Sequence, residues 1–104
     1  MIATDTSRAA AASLRKHLGR LRCSVYEYVA RCPEGAICDE VEIALDMKHQ
    51  TCSARIRELV LMGWLRRTQR TRLTRGRVKA RVYVVNAQLD ELFRLFHTLE
   101  ALEP

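Results

Sequence analysis

The stretch DEVEIALDMKHQTCSARIRELVLMGWL, residues 39–65, decides how this chain folds. DEVE has the pattern of a capping box, with Asp39 accepting from the backbone three residues on and Glu42 reaching back. A helix of about two turns follows, with apolar positions at Val41, Ile43, Ala44 and Leu45. Asp46-Met47-Lys48 reads as the turn, because aspartate tolerates the left-handed conformation better than most residues. A longer helix then runs from His49 to about Met62. Cys52, Ile56, Leu59 and Val60 share one face of it at i, i+4, i+7, i+8 spacing. Gly63 is placed to end that helix.

Upstream, residues 5–17 read as a helix capped by Asp5 or Thr6, with the strong helix former AAAASLRKH. Gly19 breaks or weakens it. Leu18, Leu21, Val25, Tyr28 and Val29 form the stripe of a further helix, which Pro33 and the PEG turn bring to a stop. Ala36 and Ile37 leave room for a very short strand. Downstream the period changes. WLRRTQ and RVKARVYVV read as two antiparallel strands joined by a long loop rich in Arg and Thr, with Gly76 near its tip. AQLDELFRLFHTLEALEP returns to helical period.

The charge is unevenly placed. Residues 48–81 hold eleven basic residues and one acid, Glu58, a net +10, whereas the rest of the chain holds seven basic residues and eleven acids, a net −4. Arg70, Arg72, Arg75, Arg77 and Lys79 fall on the expected loop with no compensating acid nearby in sequence. Such a loop repels itself and is expected to need an anionic partner.

At 104 residues, 48% of them hydrophobic, the chain is expected to be one domain with a core. No apolar run approaches the ~18 residues of a membrane span. The opening MIATDTSRAAAASLRKH lacks the apolar core of a secretory signal, which points to the cytosol. The four cysteines (Cys23, Cys32, Cys38, Cys52) make no CxxC pair, and His17, His49 and His97 are scattered. They are expected to be reduced thiols and ordinary histidines, with no metal site and no cofactor. Trp64, beside Gly63, is expected in core or hairpin packing.

In this order, DEVEIALDMKHQTCSARIRELVLMGWL resembles the helix-turn-helix of winged-helix DNA-binding proteins, and RRTQRTRLTRGRVKARVYVV resembles their β-wing. The resemblance spans roughly residues 20–86. The opening DTSRAAA, joined to this arrangement, is similar to small winged-helix proteins of phages and prophages. The resemblance implies an α+β, mostly α, winged helix-turn-helix: a helical extension at 1–19, a DNA-binding domain at 20–86 and a terminal helix at 87–104. It departs from the family in its turn, where a glycine or small residue is common and Asp46-Met47-Lys48 stands here.

With Cys52, Ile56 and Leu59 inward, the outward face of the longer helix carries Gln50, Ser53, Ala54 and Arg57, with Thr51 and Glu58 at its edge. Gln can pair with adenine and Arg with guanine in the major groove. His49, Gln50 and Thr51 occupy the first turn, where a recognition helix meets the bases, and Arg55, on the flank, is expected to meet phosphate. Arg66, Arg70, Arg72, Arg75, Arg77 and Lys79 are the expected wing contacts, on backbone or in a narrow minor groove. Alone, the helix reads more readily as a core helix with a solvated polar face. Helix and basic wing together point to double-stranded DNA.

Catalysis finds no support in a phosphate loop, a carboxylate pair or a nucleophile beside a histidine. The leading expectation is a sequence-specific transcriptional regulator in a bacterial or phage-infected cytoplasm. Alternatives are an excisionase-like or origin-binding accessory of phage replication or recombination, a module that targets a host protein, and RNA binding. In the last segment Leu89, Leu92, Phe93, Phe96 and Leu99 make a wide apolar stripe, either folded back on the first helix or pairing two subunits into a homodimer that reads a palindrome.

Overall fold

The structure, a computed structural model, describes Lys16 and residues 18–87. The expected N-terminal helix (apart from Lys16), the C-terminal helix and its pairing stripe lie outside the described residues. Among those described, three helices precede one antiparallel hairpin: α1 (Arg20–Ala30), α2 (Cys38–Leu45), α3 (His49–Leu61), β1 (Leu65–Leu73) and β2 (Lys79–Val85). The architecture is a small α+β domain.

Gly19 does break the helical run. Its φ of 79° interrupts the chain between Leu18, itself helical, and α1, and its carbonyl accepts from Cys23 N–H at 3.0 Å. Leu18, before the break, and Val25 and Val29 of α1 are buried as their spacing predicts, together with Cys23 and Tyr26, whereas Leu21 is 41% exposed.

The second helix is capped two residues earlier than the DEVE pattern suggests. Ile37 is extended at the N-cap, and its N–H donates to Glu40 Oε1 at 3.0 Å. Half of a capping box therefore forms, between Ile37 and Glu40. Asp39 and Glu42 are released from capping and face the hairpin and α3. Only Val41 of the four expected apolar positions is fully buried; Ile43 and Ala44 are exposed.

Asp46 takes the left-handed conformation (φ 52°, ψ 50°), and Met47 N–H reaches back to Glu42 O at 3.1 Å. α3 then begins at His49, with no side-chain cap from Lys48. Cys52, Ile56 and Leu59 are buried at 0–3% exposure, as their spacing predicts. At its far end Trp64 N–H bonds Leu59 O and Gly63 N–H bonds Val60 O, with Gly63 at φ 85°. This pair satisfies two terminal carbonyls and turns the chain into the hairpin. Trp64 then meets Tyr26 of α1 edge to face, ring centres 5.5 Å apart at 82°. Asn86, past β2, fixes this corner by donating to Gly63 O and Trp64 O, each at 3.0 Å.

The hairpin differs from its sequence reading. Most of the expected basic loop is strand, and the connection is only residues 74–78. Between the pairs Arg67↔Tyr83 and Thr71↔Arg81, β1 advances four residues while β2 advances two. The surplus forms an irregularity, stitched by Thr68 Oγ1 donating to Val82 O and accepting from Arg70 N–H. The tip closes with Arg77 N–H to Thr74 O and Thr74 N–H to Val78 O, both at 2.9 Å. Its left-handed residue is Arg77 (φ 60°), and not Gly76.

The short strand expected at Ala36 and Ile37 forms as a single bridge. Ala36 and Tyr83 exchange both backbone hydrogen bonds, at 2.9 and 2.8 Å. The α1–α2 connection thus lies against β2, and Ile37 and Val82 are buried, at 1% exposure each. Each fully buried aliphatic side chain stabilises by about 1.5–3 kcal/mol, so α1, α2, α3 and the hairpin share one core.

Candidate nucleic-acid interface

α3 buries one face and turns the other outward. His49, Gln50, Ser53 and Arg57 are exposed, with Ala54 and Thr51 half-buried beside them. His49, Gln50, Ser53, Ala54, Arg57, Glu58 and Leu61 line one shallow, open groove. The outward residues expected from the helical period, Gln50, Ser53, Ala54 and Arg57, all line this groove with Glu58 at its edge, whereas Thr51 does not.

Arg55 lies on the flank in an ion triad. Its Nη2 donates to Glu58 Oε2 at 3.0 Å and its Nε lies 2.6 Å from Glu58 Oε1, while Arg22 of α1 donates to Glu58 Oε1 at 2.9 Å. Hydrogen bonding from Arg22, then from Arg55, holds the Glu58 carboxyl below its usual range in spite of desolvation. The expectation that Arg55 meets phosphate is corrected to this extent: its guanidinium already has a carboxylate, which clamps α1 to α3.

The expectation of uncompensated hairpin charge is corrected more broadly. The acids come from residues 34–42, distant in sequence, which the Ala36–Tyr83 bridge brings alongside the hairpin. Arg70 reaches Glu34, through Nη1 to Oε2 at 3.4 Å and Nη2 to the carbonyl at 3.2 Å. Arg72 donates to Gly35 O at 2.8 Å and to Glu40 Oε1 at 3.0 Å. Arg75 binds Asp39 through its backbone N–H (2.9 Å) and its Nε (2.8 Å), and its Nη2 lies 3.7 Å from Glu42 Oε1. Those donations from Arg75, backbone first and guanidinium second, depress the Asp39 carboxyl.

Within residues 48–81, Lys48, Arg57, Arg66, Arg67, Arg77 and Lys79 are exposed and form no ion pair with a described residue. Arg66 and Arg67 are not equivalent, because successive residues of a strand point to opposite faces. Arg67 shares its face with buried Leu65 and, with Arg57, Ser53, Ile56, Val60, Leu61, Cys38 and Tyr83, lines a notch between α3 and the hairpin. Arg66 alternates to the other face. Arg57 lines both the groove along α3 and this notch, so it joins the polar helix face to Arg67. Arg67 is the residue that the sequence reading left out, and strict alternation from Leu65 was the signal that marked it. Leu61, 76% exposed, also lines both concavities.

A second cluster sits where α2 turns into α3. Glu42 Oε2 accepts from Cys38 Sγ at 3.2 Å and lies 2.8 Å from His49 Nδ1. Burial alone would raise Glu42, but hydrogen bonds from His49 and Cys38 outweigh it and leave its carboxyl below the usual range. The Cys38 thiol is pushed up, first by hydrogen bonding with Cys52, then by burial and by Glu42. Residues that looked scattered in sequence thus meet, because i, i+4 spacing puts Cys38 and Glu42 on one face of α2 and the tight turn delivers His49 to it. None of the four cysteines forms a disulfide. No helix among the described residues is long and apolar enough to cross a membrane.

No family model, curated protein or solved structure matches this chain.

Proposed function

We propose that this protein is a sequence-specific double-stranded DNA-binding protein of the winged helix-turn-helix kind, acting as a transcriptional regulator. The observation that carries the reading is the position of Arg57. It lies between the polar face of α3, where Gln50 and Ser53 stand exposed, and Arg67 of the hairpin. An α-helix fits the major groove, and a Gln and an Arg on its exposed face match adenine and guanine edges. Arg67 then neutralises a phosphate at the groove wall. The hairpin is the wing, and Arg77 at its tip and Lys79 beside it are exposed and form no ion pair with a described residue.

The tip adds support. Arg77 holds a left-handed conformation that costs a non-glycine residue about 1–2 kcal/mol. Strain of this kind at an exposed position is frequent where the side chain is needed for contact. In the cell, such a protein occupies an operator and blocks or recruits polymerase.

Selection from a random duplex library, repeated across a salt series, tests the proposal. Enrichment of a defined motif with steeply salt-dependent binding is the expected result. Binding without an enriched motif removes the sequence-reading role of α3. No binding even at low salt removes DNA as the partner.

A further inference from the structure

We infer that Cys38, Glu42 and His49 form a binding site for a borderline divalent transition metal of the zinc class, with solvent completing the coordination. One ligand atom from each, a thiol sulfur, a carboxylate oxygen and an imidazole nitrogen, lie within 4.8 Å of one another. From metal–ligand bonds of about 2.0–2.3 Å and a tetrahedral angle, ligand atoms around zinc stand roughly 3.3–3.8 Å apart. The three atoms therefore need shifts of about an ångström or less.

The donor set selects the metal. A thiolate and an imidazole favour zinc and its neighbours over magnesium or calcium, which take oxygen ligands. Together, a Cys38 thiolate and the Glu42 carboxylate neutralise a dication. The Cys38 S–H bond breaks on binding, its proton passes to solvent, and the sulfur lone pair goes to the metal. His49 binds as the neutral imidazole through Nδ1, the nitrogen that already faces Glu42; the Nδ1 proton passes to solvent and the single ring proton of the ligand form sits on Nε2.

The surroundings fix two of the three ligands and free the third. Cys38 and Glu42 are held by α2, and the Glu42 side chain is only 10% exposed. Arg75 Nη2 lies nearer the other carboxylate oxygen, 3.7 Å from Oε1, which leaves Oε2 turned toward Cys38 and His49. Such outer contacts orient a ligand and matter to affinity. The His49 side chain is 72% exposed, so it can rotate to close the site, and water reaches the open position from that side. Cys52, whose thiol points toward the Cys38 carbonyl at 3.8 Å, is outside the three-ligand set.

Cobalt(II), a spectroscopic stand-in for zinc, tests the site in the full chain without any DNA, so the outcome is independent of the proposed function. The wild-type protein is expected to bind one cobalt with a thiolate-to-metal charge-transfer band, displaced by zinc. Loss of an outer contact alone costs about 10–100-fold in affinity, so His49→Ala is expected to weaken binding by at least about tenfold. His49→Ala alters an exposed side chain and keeps the fold, and Cys38→Ser should abolish the band. Cys32→Ser, at a thiol that instead donates to Tyr28 O, should bind as wild type. No band in the wild type, a band that survives Cys38→Ser, or unchanged affinity in His49→Ala overturns the proposal.

Discussion

Arg75 is bound to Asp39 twice over, through its main chain and its side chain, although 36 residues separate them. A phosphate that recruits Arg75 must therefore displace a carboxylate. Replacing Asp39 by Asn removes the competitor. Duplex affinity at low salt is expected to rise in Asp39→Asn, and the slope of log affinity against log salt to steepen by about one unit. A salt titration of both proteins checks this, and an unchanged slope would exclude Arg75 from the duplex.

The same carboxylate predicts an acid limit to stability. Asp39, Glu42 and Glu58 all titrate below their ordinary values of 3.8, 4.5 and 4.5. A carboxyl depressed by folding contributes stability that is complete above its unfolded value and is lost as pH falls through the folded one. The thermal midpoint is therefore expected to be level from neutrality to about pH 5 and to drop below about pH 4.5. Asp39→Asn should flatten part of that drop. A drop of undiminished size in the variant would show that the Arg75 contact adds nothing to the fold.

The helix face and the hairpin tip should behave differently when truncated. Gln50→Ala and Arg57→Ala are expected to relax preference at individual base pairs by about 1–3 kcal/mol. Arg77→Gly relieves a left-handed residue, so thermal stability should hold or improve by up to about 1 kcal/mol. The same change should weaken all duplexes alike. Competition among singly altered duplexes separates the two behaviours, and uniform losses in all three variants would remove base reading from α3.

Gly35 is the position least open to change. A methyl group there would lie 2.5 Å from Tyr83 O and 2.7 and 2.8 Å from the Val82 and Val84 side chains, on a backbone with φ 76°. Left-handed strain of about 1–2 kcal/mol and overpacking of about 1–3 kcal/mol combine. Gly35→Ala is expected to cost about 2–5 kcal/mol in chemical denaturation. A loss below 1 kcal/mol would mean that β2 can move away from the α1–α2 connection.

The helices were legible because their signals are local. Cys52, Ile56 and Leu59 declare a buried face by spacing alone, and Gly63 declares where α3 stops. Asp46 could be placed in the left-handed region from its residue type. The hairpin was legible in kind but not in extent. Arg70, Thr71, Arg72 and Leu73 read as loop, because neither alternation nor burial marks a solvent-facing strand that follows an irregularity. The pairings of Arg70, Arg72 and Arg75 were hidden for a different reason. They depend on the 34–42 segment lying against β2, and a single bridge at Ala36 leaves little trace in a sequence. The Cys38–Glu42–His49 cluster needed the turn angle between α2 and α3, which no spacing rule supplies.

The Ala36–Tyr83 bridge also bears on how the chain reaches this state. β1 and β2 are joined by five residues and can zip locally, and α2 and α3 meet across a three-residue turn. The bridge spans 47 positions and gains only two hydrogen bonds for closing that long a loop. Closure of a long loop costs entropy before any contact rewards it. Docking of the hairpin onto the helices is thus the non-local, late step of folding, and variants at Ala36 or Tyr83 should accelerate unfolding far more than they slow refolding.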